Sequence, residues 1–287
     1  MIASGESRKE ACGRKYVFAK PKAKKRIAHW NVRTLYEDGK VEMLIREAKK
    51  YKLSVLGLSE VRWLGSGKEV LGNDMTMYYS GKSEGSVHEY GVGFLLDAET
   101  SRAVLEWKPV SDRIITLRLN SNHIKTTFIQ VYAPHDSLDE ESKDAFYNSL
   151  QEVIKNTPRH DMVMVMGDLN AKIGYQKEGE ERSVGAHALT AERNDNGERY
   201  VNFCLQNDLV ITSTTFCQPD IHKYTWTSPD RRTKNQIDHL AICGKFRSSV
   251  LNTRTYRGAD VNSDHELCVS TVQLKLRKVI KTNNTKK

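Results

Sequence analysis

The sequence predicts one α/β domain made of two packed β-sheets flanked by helices. Three observations carry that expectation. Helix and strand signals interleave from residue 27 to residue 275. No Pro/Gly-rich linker divides that stretch, and no internal repeat is evident in it. A Rossmann arrangement is disfavoured, because no GxGxxG turn follows the first strand-like run.

The elements follow in order. Residues 1–26, ending in the cluster Lys20 to Arg26, lack apolar periodicity and read as a basic flexible leader. Arg26 to Val32 is the first strand. Asp38 is expected to cap a helix whose Val41, Leu44, Ile45 and Ala48 recur at helical spacing. Leu53 to Leu58 is a short apolar run bounded by Glu60, as in a buried strand. A strand-rich middle comes next: Met75 to Ser80, Gly91 to Leu96, Arg102 to Trp107, Ile114 to Leu119 and Ile124 to Tyr132. Ser137 opens a helix through Ile154, Asp161 to Met166 is a strand, and Gly174 to Gly185 is a polar loop. Glu192 to Gln206 reads as a helix. Strands at Tyr224 to Thr227, Gln236 to Ile242 and Glu266 to Leu274 close the domain, and 276–287 is a basic tail.

Composition excludes several classes. Of 287 residues, 28% are charged and 38% hydrophobic, which fits neither wholesale disorder nor a membrane protein. No apolar run approaches a bilayer span and the first 26 residues hold no signal-peptide core, so an intracellular, soluble protein without membrane partners is expected. The cluster Lys20 to Arg26 fits a nuclear-import signal, which predicts a nuclear location. Five cysteines, an odd number with no CxxC pair, predict reduced thiols, mostly in the core.

Net charge is +9, but it is concentrated at the ends. Residues 1–26 carry nine Lys/Arg against two Glu, and residues 275–287 carry six Lys/Arg and no acid, so the body between them is net acidic. The tails can neutralise phosphates in a salt-dependent way, or be solvated ends.

Chemistry concentrates at strand ends. Asp168 and Asn170 follow the apolar run Met162 to Met166, so a carboxylate and an amide leave a buried strand on the same side. A carboxylate there can hold a hard divalent cation; the alternative is a plain turn. Glu60 ends another strand and reads as a Mg²⁺ or Mn²⁺ ligand or as a surface acid. Asn31 ends the first strand, where its amide could bind a phosphate oxygen, the metal, or only a turn. Tyr132 precedes Ala133-Pro134, so its strand stops there and its phenol could steady a phosphate. Asp238 sits inside an apolar run, where a charge needs a partner, and His265 in Ser263-Asp264-His265 is the natural one. No P-loop, HExxH, GxSxG or zinc-finger spacing is present.

The ordered set His29-Trp30-Asn31, Ser59-Glu60, Val131-Tyr132-Ala133-Pro134, Gly167-Asp168-Leu169-Asn170, Ile237-Asp238 and Ser263-Asp264-His265 resembles the endonuclease/exonuclease/phosphatase superfamily. The likeness covers residues 27 to 275. Within that group the runs Trp30 to Leu35 and Leu58 to Trp63 resemble the apurinic-type endonuclease domain of RTE-class non-LTR retrotransposons. The resemblance implies a deoxyribonuclease-like, four-layered sandwich of two mixed sheets between helices, and Mg²⁺-dependent phosphodiester cleavage, with Mn²⁺ as an alternative ion. It further implies that Glu60 is the main metal ligand, helped by Asn31 or Asp264. Asp168 would orient or deprotonate the attacking water and Asn170 would hold the phosphate. His265, held by Asp238, would bind that phosphate, and Asp168 and His265 share the candidacy for base.

Two positions depart from the abasic-site repair enzymes of the superfamily. Arg33 stands where they carry an acid, and His135 where they carry Asn. A cation near the metal argues against repair-grade activity on abasic sites. Trp226 with Arg231, Arg232 and Lys234 reads either as a DNA-contacting loop or as an exposed hairpin tip. The function expected is Mg²⁺-dependent nicking of DNA by a domain of retrotransposon descent. Its rivals are a catalytically silent DNA- or protein-binding domain and a superfamily phosphatase or RNase.

Overall fold

In a computed structural model the chain is described at residues 8–9, 16–20, 22–72 and 74–275. Numbered along the chain, the first seven-stranded sheet runs β1 (Arg8–Lys9), β7 (Val104–Ser111), β8 (Ile114–Leu119), β9 (Thr126–Tyr132), β10 (Met162–Asp168), β14 (Asp238–Cys243), β11 (Leu209–Ile211). The second runs β15 (Val250–Tyr256), β16 (Leu267–Gln273), β2 (Lys24–Asn31), β3 (Val55–Ser59), β6 (Val92–Asp97), β5 (Met75–Ser80), β4 (Ser66–Leu71). A short hairpin, β12 (Trp226–Thr227) and β13 (Lys234–Asn235), stands apart from both. Both sheets are mixed: β9 and β10 pair in parallel, as do β2 and β3, among antiparallel neighbours.

Period-two alternation builds four layers. On β10, Met162, Met164 and Met166 enter the core between the sheets, while Val165 turns to the opposite face. That outer face packs on α3 (Glu140–Lys155) and α4 (Asp195–Gln206) through Phe146, Leu150, Tyr200 and Phe203. The second sheet turns Trp30, Leu56 and Leu58 outward to α1 (Lys40–Lys50), which buries Leu44 and Ala48. α2 is a single turn, Ala98–Ser101. The expected α/β sandwich of two mixed sheets between helices is the observed fold.

Alternation and register also place the polar residues. Asp168 continues the inward face of Met164 and Met166, and Asp238 that of Leu240 and Ile242. Tyr132, Asp168 and Asp238 are direct partners across three adjacent strands. Opposite them His29 and Asn31 extend the inward face of Ile27, with Asn31 in register with Ser59. One end of the inter-sheet layer is therefore polar. Gly57 keeps that end open, because a Cβ there would lie 2.0 Å from Gln130 Oε1 and 2.6 Å from Met166 Cε. We expect Gly57→Ala to destabilise the protein by roughly 1–3 kcal/mol by overpacking, read as a lower urea midpoint.

Several sequence expectations need correction. The leader does not extend to residue 26: Phe18 and Ala19 are buried, Phe18 packs edge-on to Phe128 at 5.7 Å, and β2 already begins at Lys24. Lys25 pairs with Glu99, and Arg26 donates to the Tyr51 carbonyl, so at least two of the five cations in the basic cluster are engaged in the fold. Residues 1–7 and 10–15 of the leader, and the tail at 276–287, lie outside the described residues. Gly39, at a left-handed φ of 78°, caps α1 in place of Asp38. The strand expected at Tyr224 to Thr227 shrinks to Trp226–Thr227, and β4 was not expected at all. Cys204 and Cys268 are buried as expected, whereas Cys217 is exposed. Among the described residues no helix is long and apolar enough to cross a membrane.

Candidate active site

The polar end of the sandwich opens into a cleft of ≈ 380 Å³ whose walls include Arg33, Glu60, Arg62, Tyr132, Asp168, Asn170, Trp226, Asp264 and His265. Its backbone is unusually strained. Arg33, Thr34, Glu60, Arg62 and Asn170 all have φ between 49° and 120°, a region that costs L-residues energy and that clusters at functional sites.

Asn31 is fully buried and its Nδ2 donates to Glu60 Oε1 at 2.8 Å and to Asp168 Oδ2 at 2.9 Å. Its Oδ1 accepts from the Arg33 backbone N–H at 3.0 Å, which orients the amide. One amide thus holds two carboxylates at a fixed spacing. Glu60 Oε1 also accepts from Tyr132 Oη at 3.1 Å, and its Oε2 from Arg62 Nη2 at 2.7 Å. Burial works to raise the Glu60 carboxyl, but the bonds from Asn31, Arg62 and Tyr132 outweigh it and keep it below its ordinary value. Burial and the charges of Glu60 and Asp168 push the Tyr132 phenol far up, so it is a donor and not an anion.

Asp238 lies between two imidazoles. His265 Nδ1 is 2.9 Å from its Oδ2 and His29 Nε2 is 2.9 Å from its Oδ1. Burial would lower the His265 pKa, but the charge and hydrogen bond of Asp238, with Asp168 and Asp264, lift it to about 9. Burial likewise disfavours the Asp238 anion, yet the imidazoles hold its carboxyl below the usual range. Asp168 goes the other way. Burial, then the charge of Asp238, raises it to about 6, against the pull of His265, Asn31 and the Asn170 N–H. His265 Nε2 faces Asp168 Oδ2 at 3.8 Å.

Asp168, Asp238 and His265 bring potential ligand atoms within 4.8 Å of one another. Both Asp238 oxygens and His265 Nδ1 are already spent on each other and on His29, which leaves this cluster poorly disposed to hold an ion. The set better suited to a hard cation is all oxygen. Asp264 Oδ2 takes Trp226 Nε1 at 3.1 Å and Arg33 Nη1 at 3.5 Å, while its Oδ1 is buried without a partner. An orphaned carboxylate oxygen on the wall of a cleft that Glu60 also lines fits a hard divalent cation such as Mg²⁺ or Mn²⁺.

Known proteins bear on this geometry. No family model matches the chain. It is 34% identical over 281 residues to craniofacial development protein 2 of Bos taurus and 35% over 280 to that of Tragulus javanicus, covering 98% of this chain in each case. The chain spans about half the length of these curated relatives, 45% and 46%. Among solved structures it resembles the endonuclease domain of TRAS1, a telomere-specific non-LTR retrotransposon (TM-score 0.61, 15% identity, 88% of this chain and 99% of that one). It also resembles the AP endonuclease LMAP of Leishmania major (TM-score 0.64, 12% identity, 93% and 97%). The fold is that of the endonuclease/exonuclease/phosphatase superfamily.

Within that fold, Glu60, Tyr132, Asp168, Asn170, Asp264 and His265 all border one cleft; Asn31 is buried beneath it, bonded to Glu60 and Asp168, and Asp238 stands behind His265 as its partner. The Asn170 side chain is turned to the Ala133 carbonyl at 3.0 Å. Trp226 borders the cleft as well, but its indole N–H is committed to Asp264. Arg231 and Arg232 are exposed at the hairpin turn, and the Lys234 ammonium lies 5.6 Å from the Tyr224 ring. Arg62 and His29 were not singled out by sequence reasoning. Each stands inside a motif that was recognised, which was the one signal available.

His239, next to Asp238, points to the outer face. Its Nε2 meets the Ala171 carbonyl and its Nδ1 the Ser213 hydroxyl, both at 2.8 Å, and burial lowers its pKa to about 4. A depressed histidine binds its proton more readily when unfolded, so its stabilising share is full above the unfolded value near 6.5 and declines as pH falls toward 4. Between pH 7 and pH 5 this histidine should account for about 2 kcal/mol of lost stability. Urea unfolding of wild type and His239→Gln at both pH values checks this; equal pH dependence would refute it.

Proposed function

We propose that this chain is a divalent-metal-dependent phosphodiesterase that nicks DNA, of retrotransposon descent and working in the nucleus. The observation that carries the reading is the single cleft where the His265–Asp238 pair faces Asp168, with Glu60 held to Asp168 through one amide. Glu60, with Asn31 or Asp264, would hold Mg²⁺, which supplies polarisation of the phosphate and stabilisation of the leaving oxygen.

The chain's own residues supply the rest. Asp168 orients the attacking water and takes its proton, as a carboxylate raised to about 6 does better than an ordinary one. His265, protonated near neutrality and fixed by Asp238, presents Nε2 to a phosphate oxygen and stabilises charge there. Tyr132 adds a neutral donor at the cleft wall, and Asn170 adds its amide once it leaves Ala133. The exposed Arg231 and Arg232, with Lys234, would meet the DNA backbone.

The test is relaxation of supercoiled plasmid with Mg²⁺, with Mn²⁺ and with EDTA. Nicking that needs the metal supports the reading. Hydrolysis confined to RNA or inositol phosphates moves the substrate elsewhere in the superfamily. A second reading, a silent nucleic-acid-binding domain, is favoured by Arg62 and Arg33, which already neutralise Glu60 and Asp264. It prevails if the protein retards DNA in a salt-dependent manner and never cuts it.

A further inference from the structure

We infer that His29 is a positioning residue for His265, acting through Asp238 at the end of a buried hydrogen-bond chain that joins the two sheets. The inference rests on the phosphodiesterase reading for its kinetic consequence, but not for its structural one.

Gln130 Nε2 lies 3.0 Å from His29 Nδ1 and 3.1 Å from Ser59 Oγ, and the Ser59 hydroxyl donates to the Val131 carbonyl at 3.0 Å. The Gln130 amide nitrogen lies nearer His29 Nδ1 than the amide oxygen does, 3.0 Å against 3.4 Å, so we assign Nδ1 as the acceptor. In that tautomer Nε2 carries the N–H that is donated to Asp238 Oδ1 at 2.9 Å. Asp238 Oδ2 is left for His265 Nδ1–H, and that bond turns Nε2 of His265 toward the cleft. His29, Gln130, Asp238 and His265 are 2%, 0%, 1% and 7% exposed, so no solvent replaces a missing member.

Geometry explains why the second imidazole matters. A carboxylate bonded on one side only can rotate or shift toward its remaining partner, and Asp238 has two adjacent donors competing for it. His29 comes from β2 and Asp238 from β14, so this contact also sets how the sheets meet at the cleft. Gly57 belongs to the same design, because only a residue without a Cβ leaves Gln130 its place. Groups that orient a functional imidazole from behind commonly contribute about 10- to 100-fold to function.

The experiment uses the full chain and two variants, His29→Phe and His29→Gln. Phe fills the volume without a donor, whereas Gln keeps an N–H that can reach Asp238. Thermal unfolding establishes that each is folded. Two readings follow: kcat and KM for plasmid nicking, and the low-field proton resonance of His265 Nδ1–H in metal-free protein. In H29F we expect kcat to fall about 10- to 100-fold with KM within about twofold of wild type, and the resonance to move or broaden. In H29Q both readings should return most of the way. An unchanged kcat and resonance in H29F overturns the inference, as does a folded H29Q that loses as much as H29F. If H29F does not fold, H29Q alone decides on the same two readings. If wild type proves unable to nick DNA, the resonance still decides, and only the nuclease reading has failed.

Discussion

Replacing His265 by alanine should lower kcat for DNA nicking by roughly 100- to 10,000-fold, about 3–5 kcal/mol of barrier. The expectation follows from position and charge. Nδ1 is committed to Asp238 at 2.9 Å, so the other nitrogen is the one presented to the cleft. A pKa near 9 keeps that nitrogen protonated at neutral pH, which makes it a charged donor to a phosphate oxygen and no base. Asp168, raised only to about 6, is ionised at the same pH and is the better base, so the two candidates for that role separate. Asp168→Ala should therefore lose activity in the same range. The combined variant should lose less than the product of the two, because both act on one phosphate. Because these contacts tighten as charge develops, the loss should appear in kcat and kcat/KM alike, with KM little changed. Either single variant retaining wild-type kcat would remove its residue from the chemistry.

The parts of the site that the sequence disclosed share one property: each is announced by local pattern. Five apolar residues ending in Gly167-Asp168 declare a buried strand and its exit, and Asp238 inside an apolar run declares a charge in need of a partner. What stayed hidden depends on distance along the chain. His29 meets Asp238 across 209 positions and Gln130 across 101, and no local signal tells a histidine with such partners from a core histidine. Arg62 lies in the run Leu58 to Trp63, but nothing local shows that folding puts its guanidinium on Glu60. Phe18 and Ala19 were lost among the lysines of the leader, where charge dominates any window average, although two apolar residues are enough to anchor that segment. β4 carries Lys68 and Glu69 and little alternation, as an edge strand can, since half of its backbone bonds come from one neighbour and the rest face water.

Arg62 and Arg33 also bear on how the cleft would take a cation. Each occupies a carboxylate that the metal would need, and both are partly exposed, so displacement into solvent is open to them. If these carboxylates hold an ion, such pairing would lower its affinity without altering the ligand set. That is also the physical form of the departure at residue 33: the cation does not repel a metal from a distance but pairs with Asp264.

Removing Asp238 should destabilise the fold more than any other single change at the site. Its carboxylate is 1% exposed and accepts from two imidazoles, while its backbone N–H bonds Thr225 Oγ1. Asp238→Ala withdraws the anion and leaves both imidazole N–H groups buried without acceptors. Breaking a buried, hydrogen-bonded charge pair costs roughly 3–5 kcal/mol, which lowers Tm by on the order of 10 °C in a domain of this size. Asp238→Asn keeps the shape and one acceptor oxygen, but its amide N–H faces the second imidazole donor. It should fall between, at roughly 1–3 kcal/mol. Urea unfolding at pH 7 in EDTA orders the three proteins, with no metal to offset the loss. The order wild type, Asn, Ala is required because the number of satisfied imidazole donors falls from two to one to none. An Ala variant within about 0.5 kcal/mol of wild type, the ordinary range for a surface change, would mean that the two imidazoles do not depend on Asp238. The orientation of His265 would then need another source.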